Sequence, residues 1–455
     1  MTVHLSDGEQ LLLDDALLAR RDNVRRRVVP AVKTGHPVLE ADRPWENGVA
    51  LFGTVLRDGD RCRMWYLGGG HVCYAESDDG MTWEKPELDV VKLAGKRTNV
   101  VIERGGFGHH YEIFGAVKDE ADPDPARRYK MGYLSIDRDY RGPHEDPFHR
   151  GSRRGLGTAV SPDGYRWTME SEFASHGICD ISRFYQHPDT GRFVLYGRTK
   201  LTEDRDRWRS WGWGRAVVRM ESDDFRTWSD PEFVLGADED DPEGSEIYSM
   251  PAFAYNGLHI GMVQMFYGLP DQGNLEIQLA TSRDGLTFQR LEDRSAFLPE
   301  GEVGSWDRYN IALGCLPPVS VAEEWWFFYS GRTYRHGPYD GADTGPSSGR
   351  MGLAMADRGR LAALEASFDG GTVETVPLTC SGSRLHLNAS ARWGRIEVSV
   401  LDGDGEALRG GEATVAGKDG TDIAVPLKLQ GAAISKPVKL RLELRNAQLF
   451  GFRMS

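Results

Sequence analysis

Three acidic residues stand at nearly the same place in three successive sequence blocks. They are Asp180 in His176-Gly177-Ile178-Cys179-Asp180-Ile181-Ser182-Arg183, Glu246 in Gly244-Ser245-Glu246-Ile247-Tyr248-Ser249, and Asp307 in Gly304-Ser305-Trp306-Asp307-Arg308-Tyr309. Two earlier blocks offer Glu46, after Pro44-Trp45, and Glu112, after His109-His110-Tyr111. Acids brought to one cavity repel each other, which keeps one protonated near neutral pH while its neighbour is charged. Such a pair donates a proton to a leaving group and supplies a nucleophile, or a base that activates water. On this reading Glu246 is the general acid and Asp180 the nucleophile or base. Asp307 is a third acid that orients hydroxyls or tunes its neighbours. Arg183, Arg198 and Arg332 offer planar donors for hydroxyls or carboxylates. Tyr248 lies beside Glu246, Trp45, Trp65 and Trp306 offer flat apolar faces, and His109 and His176 offer imidazoles that could meet a ligand.

For these residues to meet, the chain between them must repeat. Four copies of one pattern do so: Ser77-Asp78-Asp79-Gly80-Met81-Thr82-Trp83, Ser161-Pro162-Asp163-Gly164-Tyr165-Arg166-Trp167, Ser222-Asp223-Asp224-Phe225-Arg226-Thr227-Trp228 and Ser282-Arg283-Asp284-Gly285-Leu286-Thr287-Phe288. A degenerate fifth copy is Ala356-Asp357-Arg358-Gly359-Arg360-Leu361. The starts are 84, 61, 60 and 74 residues apart, which is longer than a hairpin and suits a four-stranded propeller blade with long connections. Asp-Gly marks the turn, a strand precedes it, and the closing aromatic is expected to pack between neighbouring blades. Phe225 in place of glycine predicts a different turn in the third copy. Five blocks follow, at about 42–92, 98–170, 175–235, 245–292 and 303–358. The innermost strands of such a ring surround its axis, where a pocket forms.

Beyond about residue 361 the pattern changes to short alternating strands such as Arg395-Ile396-Glu397-Val398-Ser399-Val400, with Asp402-Gly403-Asp404-Gly405 as a turn, and reads as a β-sandwich. The expected fold is therefore all-β: a lead-in over 1–40 packed on the ring, a five-bladed β-propeller over 41–360 and an accessory β-sandwich over 361–455. The basic run Arg20-Arg21 and Arg25-Arg26-Arg27 is expected on a solvated face.

The net charge of −14 argues against nucleic acid and against an anionic membrane surface as partners. The first residues show no basic segment followed by an apolar one, so a cytoplasmic location is expected. Five scattered cysteines (Cys62, Cys73, Cys179, Cys315, Cys380) have neither disulfide-framework nor zinc spacing. No metal and no organic cofactor is expected from the residues.

The chain resembles the five-bladed propeller glycosidases, the group containing glycoside hydrolase families 32, 43, 68 and 130. It is most similar to a largely unassigned bacterial set of family-32-like or family-43-like hydrolases. The residues that carry the resemblance are Leu12-Leu13-Asp14-Asp15, Asp42-Arg43-Pro44-Trp45-Glu46, Met64-Trp65-Tyr66 and Glu84-Lys85-Pro86-Glu87-Leu88, together with the C-terminal sandwich. The family 32 signatures Trp-Met-Asn-Asp-Pro-Asn-Gly, Arg-Asp-Pro and Glu-Cys-Pro are absent, so no catalytic residue is carried over from them. The resemblance implies a glycosidase acting on a furanoside or small oligosaccharide of the fructoside or arabinoside type, with a carbohydrate as partner; an axial calcium ion is conceivable by family analogy alone. The alternatives are a phosphorylase or transglycosylase on the same scaffold, or a carbohydrate-binding propeller without turnover. For substrate contacts the expected set is Glu46, Trp65, His109, Glu112, His176, Arg183, Arg198, Tyr248, Trp306 and Arg332.

Overall fold

The computed structural model describes residues 2–5, 8–107, 110–142, 151–200, 214–268, 273–314, 316–336, 349–380, 382, 384–429 and 436–455. They form an all-β chain whose one helical element is a single turn of 3₁₀ helix at Pro125–Arg127. Five antiparallel sheets follow one another along the chain. Val49–Asp58, Arg61–Gly68, His71–Ser77 and Val100–Ile102 make the first. His110–Lys118, Tyr129–Asp137, Arg153–Ser161 and Thr168–His176 make the second. Arg183–Gln186, Phe193–Lys200, Arg215–Ser222 and Glu232–Leu235 make the third. Ser245–Ser249, Leu258–Tyr267, Asn274–Ser282 and Gln289–Arg290 make the fourth, with Ala252–Tyr255 on the same central strand. The fifth holds Tyr309–Leu313, Glu324–Arg332, Arg350–Asp357 and, from the start of the chain, Val32–Lys33, with Val319–Val321 added. The last strand of the first sheet thus lies at 100–102, inside the block that the sequence spacing assigns to the second.

The repeated turn does what its residue types dictate. In each full copy the aspartate Oδ1 accepts two backbone N–H bonds, and the serine Oγ accepts one from the residue at the glycine position. Asp79 takes Met81 and Thr82 at 2.8 and 2.7 Å, and Asp284 takes Leu286 and Thr287 at 2.8 and 2.7 Å. The third copy keeps the same turn, contrary to expectation. Asp224 accepts from Arg226 and Thr227, and Ser222 Oγ from Phe225 N at 2.9 Å. Phe225 does this by adopting φ of +66°, the left-handed region used by Gly80, Gly164 and Gly285. Its ring is fully buried against Phe184, Phe193 and Trp228, and that burial outweighs the backbone cost.

Neighbouring sheets meet through the repeat aromatics. Trp167 of the second sheet packs on Trp65 of the first, Phe288 of the fourth on Tyr196 of the third, and Trp83 of the first on Phe328 of the fifth. The last contact closes a ring, lined at that seam by a cluster including Leu51, Met64, Tyr66, Val319, Trp326 and Leu353. The opening strands of the sheets line the inside. Ala116 N donates to Thr54 Oγ1 at 2.8 Å between the second and first sheets, and Arg183 Nε reaches from the third sheet to Leu313 O of the fifth at 3.3 Å.

After residue 361 two further sheets share one core, which includes Leu387, Val398, Leu442 and Leu449. One runs in the order Asp419–Ala424, Leu385–Ser390, Ala447–Met454, Ala362–Ala366, Arg25–Val28, with Gln10–Leu11 also on Ala447–Met454. The other runs Leu18–Asp22, Gly371–Thr375, Lys439–Arg445, Arg395–Leu401, Ala407–Ala416. The lead-in packs on the ring through Leu11, Leu13, Val28 and Ala31 and is more than a layer on it: its strands complete both of these sheets and the fifth sheet of the ring. The basic run is likewise no uniform solvated face. Arg26 is buried and donates to Leu12 O and Asp14 O at 2.9 Å each, which ties the lead-in to itself. Arg21 grips both oxygens of Glu292 at 2.8 and 2.9 Å, which ties the lead-in to the fourth sheet.

Two outcomes follow from these contacts. Phe225→Gly relieves the left-handed backbone but removes a buried ring, so thermal or denaturant unfolding should show a net loss of about 2–3 kcal/mol. Arg21 and the Arg26 backbone N–H hold the Glu292 carboxyl down to about 2, below its ordinary 4.5. This contribution is complete above pH 4.5 and is lost as pH falls toward 2. Melting temperatures across that window should fall less steeply in Glu292→Gln than in the parent protein.

Candidate active site

The opening strands of the ring begin at one end of it, and the described side chains there form a connected cluster from four sheets. Glu112 comes from the opening strand of the second sheet. Its Oε2 is closed to solvent and accepts no hydrogen bond, although the rest of the side chain keeps some exposure. Burial raises its carboxyl above the ordinary 4.5, against the opposing pull of Arg198, Arg183, Arg332 and Arg154. Those four guanidiniums come from the second, third and fifth sheets.

The third sheet supplies the centre. Cys179 N donates to Arg198 O at 2.7 Å, and Ser182 Oγ to Cys179 O at 2.9 Å, so the segment carrying Asp180 is sewn to the second strand of its sheet. Ile181 sits at φ of +58°, which costs a β-branched residue about 1–3 kcal/mol. Its side chain is held in a buried cluster with Tyr248, Phe266 and Leu275. Gly197 makes room for Ile178 beside Arg198: a Cβ there would lie 2.6 Å from the isoleucine Cγ2. Asp180 pairs with Arg198 Nη2 and keeps 26% side-chain exposure, whereas Arg198 is 6% exposed. Arg183 is almost fully buried, and its Nη1 donates to Ser182 O at 2.7 Å.

From the fourth sheet, Glu246 is 2% exposed and pairs with Arg215. Tyr248 lies between the two ion pairs, its ring 4.7 Å from the Arg198 guanidinium and 5.5 Å from that of Arg215. Its hydroxyl shares a 2.6 Å hydrogen bond with His336 Nε2. Burial, followed by the charges of Arg215, Arg198 and Arg332, pushes the His336 imidazole down to about 4, so it is neutral at ordinary pH.

The expected residues thus divide. Asp180, Glu246, Glu112, Arg183, Arg198, Tyr248 and Arg332 share this cluster. Asp307 does not. Its segment folds back over the fifth sheet, where its Oδ2 takes Lys33 Nζ and Tyr329 Oη at 2.8 Å each and its Oδ1 takes Ser305 Oγ at 2.9 Å. Trp306 stacks on Tyr329 with centroids 5.6 Å apart, inside the core between the fourth and fifth sheets. Trp65 is fully buried between the first and second sheets, with Nε1 donating to Gly164 O at 2.8 Å. Neither tryptophan is a platform for a ligand. Trp45 is spent likewise, its Nε1 on Asn99 Oδ1 at 3.0 Å. Glu46 is a structural acid: its side chain is wholly buried and accepts from Lys85 Nζ at 2.7 Å, from Tyr66 Oη and from the backbone N–H groups of Asp42 and Arg43. His176 ends the outermost strand of the second sheet, three strands from the axis. His109 lies outside the described residues.

The sequence reading missed Arg154, Arg215 and His336. A signal existed for the arginines, since the third strands of the second, third and fifth sheets open with Arg153, Arg215 and Arg350. The axial calcium that the resemblance allows does not fit. Among the described residues no three His, Cys, Asp or Glu side chains converge as ligands, and guanidiniums surround the hollow.

No family profile matches the chain, and no curated protein matches it. Solved structures do resemble it. An arabinoxylan arabinofuranohydrolase of glycoside hydrolase family 43 from Bacillus subtilis, in complex with cellotetraose, is 11% identical over 94% of this chain and 99% of its own, with a TM-score of 0.44. An exo-inulinase from Aspergillus awamori is 12% identical over 92% of this chain and 99% of its own, at 0.43. An N-acetylgalactosamine deacetylase from F. plautii, in complex with blood group B trisaccharide, is 15% identical over 79% of this chain and 96% of its own, at 0.46. Families 43, 32 and 130, to which the sequence resemblance points, are represented among such structures. At these identities and scores the chemistry has to be argued from the chain's own residues.

The placement of Asp307 has a direct test. Asp307→Asn strands the largely buried Lys33 ammonium, which is 16% exposed, and should lower stability by about 2–4 kcal/mol in denaturant unfolding. Turnover per folded molecule should be unchanged, where a catalytic Asp307 would lose it.

Proposed function

We propose that this chain breaks a glycosidic bond in the hollow where the opening strands begin. We read the ring of five sheets as a five-bladed β-propeller and the two remaining sheets as a β-sandwich that carries the lead-in. The supporting observation is the gathering of Glu112, Asp180 and Glu246, from three sheets, around one group of arginines and Tyr248. Glycoside cleavage needs a proton donor for the leaving oxygen and a second carboxylate as nucleophile or base.

The roles follow from burial. Glu112 is the proton donor, because its raised carboxyl retains a proton to higher pH than an ordinary glutamate does. This moves the acid role from Glu246, which is almost completely buried and committed to Arg215. Asp180 is the nucleophile or base, since it alone of the two ion-paired acids keeps appreciable exposure. Glu246 positions Arg215 beside Tyr248. Arg183, Arg198, Arg332 and Tyr248 line the substrate side. A furanoside or small oligosaccharide, fructoside or arabinoside in type, is the substrate that the sequence resemblance implies, and the enzyme class is that of O-glycosyl hydrolases.

A panel of aryl furanosides and pyranosides tests this. Glu112→Gln and Asp180→Asn should each cut kcat/KM by roughly 10²–10⁴, the first at unchanged melting temperature and the second at a lowered one, because it takes the charge partner from the buried Arg198. Substrates with a strongly acidic leaving group, which need no proton, should restore most of the Glu112→Gln loss and none of the Asp180→Asn loss. In the parent protein activity should fall as pH rises through the raised Glu112 value, and that alkaline limb should vanish in Glu112→Gln. Full turnover in Glu112→Gln on poor leaving groups would refute the assignment.

A further inference from the structure

The chain carries a net charge of −14, yet arginines gather at the axial cluster. The guanidiniums of Arg154, Arg183, Arg198 and Arg332 act on Glu112, and Arg215 stands on the far side of Tyr248. Arg198 stands among these guanidiniums and acts on Glu112 more strongly than the others. It is 6% exposed, one nitrogen is engaged by Asp180, and its buried Nε and Nη1 have no hydrogen-bond acceptor among the described residues. The buried Oε2 of Glu112 likewise has no donor among the described residues. Two N–H groups of a desolvated guanidinium are thus left without an acceptor, which is unfavourable unless a ligand provides one. They lie on different edges of the guanidinium, because Asp180 holds the nitrogen common to both of its forks, so each can donate to a separate oxygen; a charged acceptor gives the stronger bond and offsets the cation, whereas a neutral hydroxyl offsets no charge.

We propose that the hollow binds an oxyanion, a carboxylate, sulfate or phosphate, on Arg198 with Arg183 and Arg332 beside it. The neutral His336 and the hydroxyl of Tyr248 form the adjoining wall, able to take a sugar hydroxyl without adding charge. This deepens the glycoside-cleaving role and rests on it for its catalytic consequence: the anion lies next to the proton donor Glu112. It belongs either to an acidic sugar or to inorganic phosphate as co-substrate. With phosphate, one of its oxygens bonds to the anomeric carbon as the bond from that carbon to the leaving oxygen breaks. The leaving oxygen takes the Glu112 proton, and a glycosyl phosphate and an alcohol result.

Calorimetric titration of the full chain with inorganic phosphate, sulfate, galacturonate and galactose tests the proposal without any need for turnover. At low salt at least one anion should bind tenfold or more tightly than galactose, and the preference should shrink as salt rises. Arg198→Gln and Arg332→Gln should each weaken that anion at least tenfold. Arg332 is partly exposed, so its variant carries the test if Arg198→Gln does not fold. No preference for an anion over galactose, or an unchanged affinity in the folded variants, overturns the proposal. Absence of glycoside cleavage with anion binding intact overturns the catalytic role and leaves the anion site standing. Where cleavage occurs, release of glycosyl phosphate only in the presence of phosphate identifies the co-substrate. Preference for an aryl galacturonide over the galactoside, indifferent to phosphate, identifies the sugar's own carboxylate.

Discussion

The contact on which the ring depends is the clasp between one sheet and the turn of the next. Trp65 of the first sheet donates to the carbonyl of Gly164, and Tyr196 of the third donates to that of Gly285 at 2.9 Å. Each acceptor sits in a Ser-x-Asp-Gly turn whose own hydrogen bonds are already complete, so its carbonyl is presented rigidly. The closing aromatic then covers the joint. A polar bond sealed under aromatic rings fixes the angle between neighbours more tightly than apolar packing alone. The angle matters because the cluster at the axis draws on four sheets. A rotation at one joint would part Asp180 from Tyr248 or Tyr248 from His336.

Within that frame the axial cluster departs from ordinary interior chemistry. Some buried charges are fully matched, as at Glu46 with Lys85 and Tyr66, or Lys130 with Asp119 and Asp122 at 2.8 Å each. At the axis some donors and acceptors stand close without meeting: among the described residues Glu112 Oε2 has no donor, and Arg198, paired with Asp180 through Nη2, has no acceptor for Nε and Nη1. Ile181 adds backbone strain on the segment that carries Asp180. Unmet polar atoms on charged groups that share one cluster are what a ligand could complete.

What could be read from the sequence was what recurs in it. Serine, aspartate, glycine and an aromatic at fixed offsets announced the turns, their spacing announced the sheets, and the placing of Glu112, Asp180 and Glu246 near the opening strands marked three of the acids. Asp307 shows where that logic stops. It occupies the equivalent place in its block, but Gly301 and Gly331 let its segment lie flat on the fifth sheet; a Cβ on Gly331 would stand 2.6 Å from that of Asp307. Its cation is Lys33, far away in sequence. Trp65 and Trp306 failed for a related reason, because a tryptophan that could cover a sugar ring covers a neighbouring sheet equally well. Phe225 defeated the turn rule because tertiary burial overrode a local backbone preference.

The lead-in carries a consequence of its own. Val32–Lys33 completes the fifth sheet, Gln10–Leu11 and Arg25–Val28 extend one of the C-terminal sheets, and Leu18–Asp22 borders the other. Strands within residues 3–33 therefore pair with strands within residues 350–454, more than three hundred residues away. Neither sheet system is a contiguous stretch of chain, and no single cut yields two self-sufficient halves. These sheets close only when residues 3–33 and residues 350–454 are both present.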